Sequence, residues 1–309
     1  MREPLDVPDL VRQRVRSLGA LGDAWTRSLP DRLHALAARW QLVVGPVLSG
    51  GTAALVTAAT LADGRAAVVK LFVPDEDLST DSFDRSVIAH RLAAGRGCVE
   101  LFDHDSSTQA LLLERLGPNL AELEMGTADI LETVCETLCR FWRPATQGCG
   151  LPTGADKAEW LAGFIVRCWD DLGAPCDRVV LDRALEYCSR RAAAFDPSTA
   201  VLVHADAHGW NTLAAGNGTY KFVDPEGLCS DRANDLAVPM REYNEPLVAG
   251  DTARLVHERA EWLASRCDTD VDAVWEWGFI ERVSTGLANL RDFDDGSGAT
   301  FLEVARRCC

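Results

Sequence analysis

Residues 9–39 carry apolar side chains at helical spacing, Leu10, Val11, Val15 and Leu18 in one run and Leu33, Leu36, Ala37 and Trp40 in another, which predicts two helices. Ser28, Leu29, Pro30 and Asp31 read as the start of the second, because Pro fits the first helical turn. From residue 41 the period shortens to that of strands, over 42–48, 53–61 and 66–73. Ser49, Gly50, Gly51 and Thr52 divide the first two and Asp63-Gly64 the last two, so two hairpins are expected. A helix over 81–94 should stop at Gly95-Arg96-Gly97, followed by strands over 98–103 and 110–114. The last strand runs out into Glu114, Arg115, Leu116, Gly117 and Pro118, a hinge whose backbone groups could bind an adenine. Beyond it helical patterns dominate, over 129–142, 158–172, 178–195, 252–265 and 271–290, with one strand at 201–204 and a loop leading into a helix at 230–237. The pattern predicts an α+β chain: an antiparallel-sheet lobe over 1–116 and a mainly helical lobe over 117–309.

Composition narrows the class. Hydrophobic residues make up 47% of the 309 and charged residues 25%, as in an ordinary globular chain. A formal charge of −16 excludes nucleic acid as a natural partner and suits a cationic small molecule, although acidity also serves solubility alone. Eleven cysteines show no Cys-x-x-Cys pair. An odd number at irregular spacing fits reduced, mostly buried thiols and a cytoplasmic setting, with Cys308 and Cys309 at a frayed terminus. Residues 1–16 are too charged for a signal peptide. Residues 40–62 carry no charge, but their glycines, Pro46 and alternating hydroxyl side chains read as strands and a turn rather than a membrane span.

The densest chemistry lies in residues 203–228. His204, Asp206 and Asn211 precede Asn217-Gly218, the strongest hairpin-turn signal in a sequence, because both central residues of that turn need positive φ. A ribbon folded symmetrically about 217 and 218 sets Asn211 opposite Asp224, with Cβ atoms ~4.5–5.5 Å apart. An amide oxygen and a carboxylate so placed favour a hard cation such as Mg²⁺. Asp206 could then take the proton of a hydroxyl that attacks a metal-bound phosphate. A competing reading puts His204, Asp206 and His208 on one strand face as ligands of a zinc hydrolase. The other histidines, His34, His90, His104 and His257, offer no second pair at ligand spacing.

Lys70 ends an Ala66-Ala67-Val68-Val69 run, so an ammonium stands in a buried-looking strand and calls for an anionic partner or a bound phosphate, unless it snorkels from a sheet edge. Gly50 and Gly51 would let backbone N–H groups approach a phosphate, and a plain turn is the competing reading. A lysine on the third strand after a glycine turn is where a kinase-like lobe holds nucleotide phosphates. No glutamate follows in the 81–94 helix, where Asp84 is the nearest acid.

Taken together, these residues resemble the aminoglycoside phosphotransferase family of the kinase-like superfamily, in its streptomycin 6-phosphotransferase and hydroxyurea phosphotransferase group. The resemblance runs through nearly the whole chain, from Ser49-Gly50-Gly51-Thr52 and Lys70 through Glu114 to Leu116, His204 to Asn211, Asp224-Pro225 and Asp235-Leu236-Ala237. It implies a bilobal kinase-like fold and an ATP- and Mg²⁺-dependent phosphotransferase acting on a hydroxyl of a small, cationic antibiotic, working as a monomer or weak dimer without membrane or nucleic acid. It implies Asp206 as catalytic base, Asn211 and Asp224 as metal ligands, Lys70 on the phosphates, and nucleotide contacts from Ser49, Gly50, Gly51, Thr52, Glu114 and Leu116. His204 would shape the catalytic loop and Asp235 anchor a helix near it. The chain departs from the family at Ser86, where a glutamate is expected, at Ala205 and Ala207 in place of Gly and Leu, and at Glu226 where relatives often carry a basic residue. The missing glutamate leaves room for a nucleotide-binding protein with little turnover.

Overall fold

The computed structural model describes residues 5–49, 51, 53–74, 82–145, 148–293 and 295–309, and the chain divides into two compact units, residues 1–95 with 99–117 and residues 96–98 with 118–309. In the first unit, α1 (Asp9–Ser17) and α2 (Gly19–Trp40) precede β1 (Leu42–Val47), β2 (Ala54–Leu61) and β3 (Ala66–Phe72), followed by α3 (Ser82–Ala93), β4 (Leu101–Asp105) and β5 (Ala110–Glu114). The strands form one antiparallel sheet in the order β1-β2-β3-β5-β4. Val11, Val15, Trp25, Leu29, Leu33 and Leu36 of the two helices share a core with Leu55, Val69, Leu71 and Leu112 of the sheet. The Trp25 indole N–H donates to the Phe72 carbonyl at 2.9 Å, which ties α2 to the end of the lysine-bearing strand. Pro30 lies inside α2 and does not start a helix. The apolar stripe from Trp25 to Leu36 carries the helix through the hydrogen bond that proline cannot donate.

The second unit contains α4 (Thr127–Phe141), β6 (Arg143–Pro144), α5 (Gly154–Asp171), α6 (Arg178–Ala193), β7 (Val201–Val203), β8 (Thr212–Gly216), β9 (Thr219–Phe222), β10 (Leu228–Ser230), α7 (Arg232–Arg241), α8 (Glu245–Ala249), α9 (Thr252–Cys267), α10 (Val271–Asp292) and α11 (Ser297–Arg307). A small antiparallel sheet in the order β10-β7-β6 and the ribbon β8-β9 are its only strands among the described residues. α10 is the central helix, packed against α5, α6, α7, α9 and α11. Its middle is buried on every side, with Val274, Trp277, Ile280, Val283 and Leu287 fully buried, so its polar residues there have no solvent face to turn to. Glu276 and Glu281 are buried within it. α11 ends one residue before Cys308, so the terminus expected to fray follows directly on a packed helix. Among the cysteines, Cys98, Cys135, Cys168, Cys188, Cys229 and Cys267 are buried, and none of the eleven is in a disulfide.

Candidate active site

The chain leaves β7 at Val203 and continues as a loop held by Asp235 in the first turn of α7. The Asp235 carboxylate accepts the backbone N–H groups of His204 (2.9 Å) and Ala205 (2.6 Å) and the indole N–H of Trp142 (2.8 Å). Burial pushes its pKa up, against the pull of His204 and of these donors. His204 is itself buried, its ring against Phe141 and Phe222. Its Nε2 donates to the Val223 carbonyl at 2.9 Å, and its Nδ1 accepts the Asp206 N–H at 3.3 Å. A carbonyl can only accept, which fixes the proton on Nε2, and burial lowers the pKa so that the ring stays neutral. The Glu226 N–H closes the loop onto the His204 carbonyl at 3.1 Å. Both nitrogens of His204 are therefore engaged within the loop. Residues 204–208 do not form a strand face, and among the described residues no three His, Cys, Asp or Glu side chains gather as a metal-ligand set. The zinc-hydrolase reading fails on this geometry.

Asp206 projects from the same loop with its side chain 31% exposed. Its Oδ2 accepts from Asn211 Nδ2 at 3.0 Å and His208 Nε2 at 3.2 Å, and its Oδ1 accepts from Arg241 Nη2 at 3.2 Å. Burial opposes ionisation, but the bond from His208 and the Arg241 cation hold the carboxyl well below the usual carboxylate range. His208 caps the 3₁₀ turn Gly209–Asn211, where its Nδ1 accepts the Asn211 N–H at 3.3 Å. Burial pushes the imidazole pKa down, and the Asp206 carboxylate more than reverses this.

The ribbon turns where the sequence places it, with Asn217 at φ 52° and Gly218 at φ 70°, and Gly216 pairs with Thr219. The register then slips at Ala215, so that Ala214 pairs with Tyr220, Leu213 with Lys221 and Thr212 with Phe222. Continued by one residue, this register sets Asn211 opposite Val223, whose N–H donates to the Asn211 carbonyl at 2.9 Å. The expected opposition of Asn211 and Asp224 is thus displaced by one residue, because a one-residue bulge offsets the whole ladder beyond it. Asp224 follows with a left-handed φ of 59°. The Asn211 amide nitrogen donates to the carbonyl and carboxylate of Asp206, both at 3.0 Å, so its Oδ1 is the amide atom with acceptor capacity to offer a cation. That amide oxygen and the Asp224 carboxylate are both oxygen donors, the ligand type that Mg²⁺ takes.

In the first unit, Lys70 lies on β3 between Val56 of β2 and Leu111 of β5, in the interior of the sheet rather than at an edge. Its side chain is buried, with Nζ 4.8 Å from the centre of the Phe72 ring. Ser49 and Gly51 are exposed in the β1–β2 turn, and Gly51 takes a φ of 83°. Gly50 and Thr52 lie outside the described residues. Glu114 ends β5 and accepts the Glu100 N–H at 3.1 Å, with half-buried Leu116 two residues on.

Sequence reasoning missed the charges behind Asp206. Glu281 and Glu276 are buried, and Glu281 takes Lys157 Nζ at 2.6 Å and Arg241 Nη1 at 2.7 Å. Glu276 is paired with Arg190 at 2.7 Å and Arg191 at 2.6 Å. The available signal was a carboxylate in a helix whose middle has no solvent face.

Comparison with known proteins adds three findings. The profile of a family described as aminoglycoside/hydroxyurea antibiotic resistance kinase matches residues 39–296. A streptomycin 6-kinase of Streptomyces glaucescens is 29% identical over 96% of this chain and 93% of its own length, and a hydroxyurea phosphotransferase of Kitasatospora aureofaciens is 33% identical over 93% and 81%. The crystal structure of a choline kinase from Streptococcus pneumoniae superposes with a TM-score of 0.59 at 11% identity, covering 91% of this chain and 99% of that one, a likeness of fold.

Proposed function

The chain belongs to the aminoglycoside/hydroxyurea antibiotic resistance kinases, and on that premise we propose that it transfers the terminal phosphoryl group of ATP to a hydroxyl of a small cationic antibiotic of the streptomycin kind, with Asp206 as base. It is a small-molecule kinase with the kinase-like fold, and no helix among the described residues is long and apolar enough to cross a membrane.

Asp206 is ionised when the acceptor arrives, and its first task is to orient the hydroxyl by accepting its hydrogen bond. A carboxylate with so low a pKa is a weak base, which suits a loose phosphoryl-transfer transition state where the acceptor oxygen turns acidic only late. As that oxygen bonds to phosphorus and the bond to the departing ADP oxygen breaks, the proton passes to Asp206. Lys70 would neutralise charge on the nucleotide phosphates, the turn holding Ser49, Gly50, Gly51 and Thr52 would cover them, and the backbone from Glu114 to Leu116 would bind the adenine. Asn211 through Oδ1 and Asp224 through its carboxylate would hold Mg²⁺, which would neutralise charge developing on the phosphates.

Support for a cationic acceptor comes from Glu226. Its side chain is exposed, and it makes no ion pair among the described residues. An acceptor ammonium or guanidinium would supply the counter-charge that the loop lacks.

The observation that carries the proposal is the Asp206 carboxylate, held ionised and oriented by three donors at the end of a loop clamped to α7. ATP consumption measured with streptomycin, hydroxyurea and a neutral polyol tests it. Streptomycin should be turned over in preference to the polyol, and Asp206→Ala should lower kcat by ~10²–10⁴. Undiminished turnover in that variant overturns the base, and indifference to acceptor charge overturns the acceptor class.

A further inference from the structure

Behind Asp206 runs a line of buried charges that phosphoryl transfer alone does not call for. Glu281, in the middle of α10, takes Lys157 of α5 on Oε1 at 2.6 Å and Arg241, the last residue of α7, on Oε2 at 2.7 Å. The other arm of the same guanidinium, Nη2, reaches Asp206 Oδ1 at 3.2 Å, and its Nε stands 3.4 Å from Glu242 Oε1. The Lys157, Glu281 and Arg241 side chains are only 12%, 7% and 13% exposed. Burying ions costs about as much as their attraction returns, and apolar residues would pack this flank of α10 at least as well. Stability therefore gives no reason for such a line to end at the base. Orientation does.

An ionised carboxylate offers about four acceptor positions, two on each oxygen. Asn211 and His208 occupy both on Asp206 Oδ2, and Arg241 occupies one on Oδ1. Among the described residues this leaves one position, on Oδ1, beside the arginine. We propose that Arg241 is the positioning residue of the catalytic base: gripped by Glu281, which Lys157 pins in turn, it fixes Asp206 so that a single lone pair on Oδ1 faces the acceptor hydroxyl. The inference rests on Asp206 being the base. Only arginine can do this, because its planar fork engages Glu281 and Asp206 at once whereas lysine is a point charge. His204 and Glu226 flank the carboxylate without bonding to it, and Lys157 and Glu242 reach it only through the Glu281–Arg241 pair and through Arg241.

Arg241→Ala, Arg241→Lys and Glu281→Gln in the full chain test the proposal, with kcat and KM measured for whichever acceptor the wild-type enzyme turns over, water included. A base misplaced by about an ångström costs ~10²-fold, so Arg241→Ala should lower kcat by about that factor while KM for ATP stays within about two-fold. Arg241→Lys keeps the charge but not the fork and should recover less than a tenth of the loss. Millimolar guanidinium should restore kcat to Arg241→Ala by filling the vacated site, urea at the same concentration should not, and Asp206→Ala should not respond. Glu281→Gln, which leaves every group on Asp206 in place but frees the far arm of Arg241, should lower kcat with KM unchanged, and it decides the matter should Arg241→Ala not fold. Unchanged kcat in the folded variants, or full recovery with lysine, overturns the positioning role. A wild-type enzyme that phosphorylates no antibiotic overturns the acceptor reading instead, and leaves the variants to be read on ATP hydrolysis.

Discussion

Ala205 takes a left-handed φ of 70° while its N–H bonds to Asp235 at 2.6 Å. The left-handed region costs an L-residue with a β-carbon ~1–2 kcal/mol, which the Asp235 clamp and the buried His204 ring impose on the loop. Ala205→Gly should relieve that strain and, after the greater freedom of glycine in the unfolded chain is subtracted, stabilise the protein by about 0.5–1 kcal/mol. Urea denaturation measures it, and a lower midpoint in the variant would show that Ala205 is not strained. The same loop marks the reach of sequence reasoning at this scale. His204, Asp206 and Asn211 were legible because their spacing is local and their chemistry distinctive. Arg241 was not, because it meets Asp206 across 35 residues of sequence and nothing in its neighbourhood distinguishes it from a surface arginine at a helix C-terminus.

Element positions were legible where one face is buried and the other wet, as in α1 and α4, because the period of apolar residues then reports the geometry. Reading failed where an element departs from its own period. Ala215 adds a residue to the ribbon and moves Asn211 off Asp224, and Pro30 is carried inside α2 by the stripe around it. Gly95 and Gly97 looked alike as helix stops, yet the structure separates them. Gly97 takes a φ of 62°, its carbonyl accepts the Phe222 N–H at 2.9 Å, and a β-carbon there would lie 2.6 Å from the Phe141 nitrogen and 2.9 Å from the Thr137 carbonyl. Backbone cannot yield as a side chain does, so Gly97→Ala should cost more than ~3 kcal/mol and disturb β9 just before Asp224. At Gly95 the added carbon meets only Glu100 Cβ at 3.6 Å, so Gly95→Ala should cost only the left-handed penalty of ~1–2 kcal/mol. Equal midpoint shifts for the two variants would show that the Phe141 contact does not limit position 97.

For the molecule as a whole, a charge of −16 and a line of buried ion pairs pull in opposite directions as pH falls. Protonating exposed carboxylates relieves self-repulsion, whereas protonating Glu281 strands Lys157 and Arg241. Burial alone would raise the Glu281 pKa, but Lys157 and then Arg241 overcome it and hold the group below its ordinary value of 4.5. A carboxyl depressed by folding adds stability that is fully present above its unfolded pKa and is lost as pH falls through the folded one. The contribution of Glu281 is therefore complete at pH 7 and begins to fade only below 4.5. Glu281→Gln removes one partner from a buried charged network, which should destabilise the protein by ~3–5 kcal/mol at neutral pH. The gap between wild type and variant should narrow steadily below the ordinary glutamate value, because the wild-type carboxyl then approaches the neutral state that glutamine imitates. Thermal denaturation of both proteins across the acid range measures the gap. A gap that widens on acidification would mean that Glu281 is protonated in the folded protein at neutral pH, and that Lys157 and Arg241 find their counter-charge elsewhere.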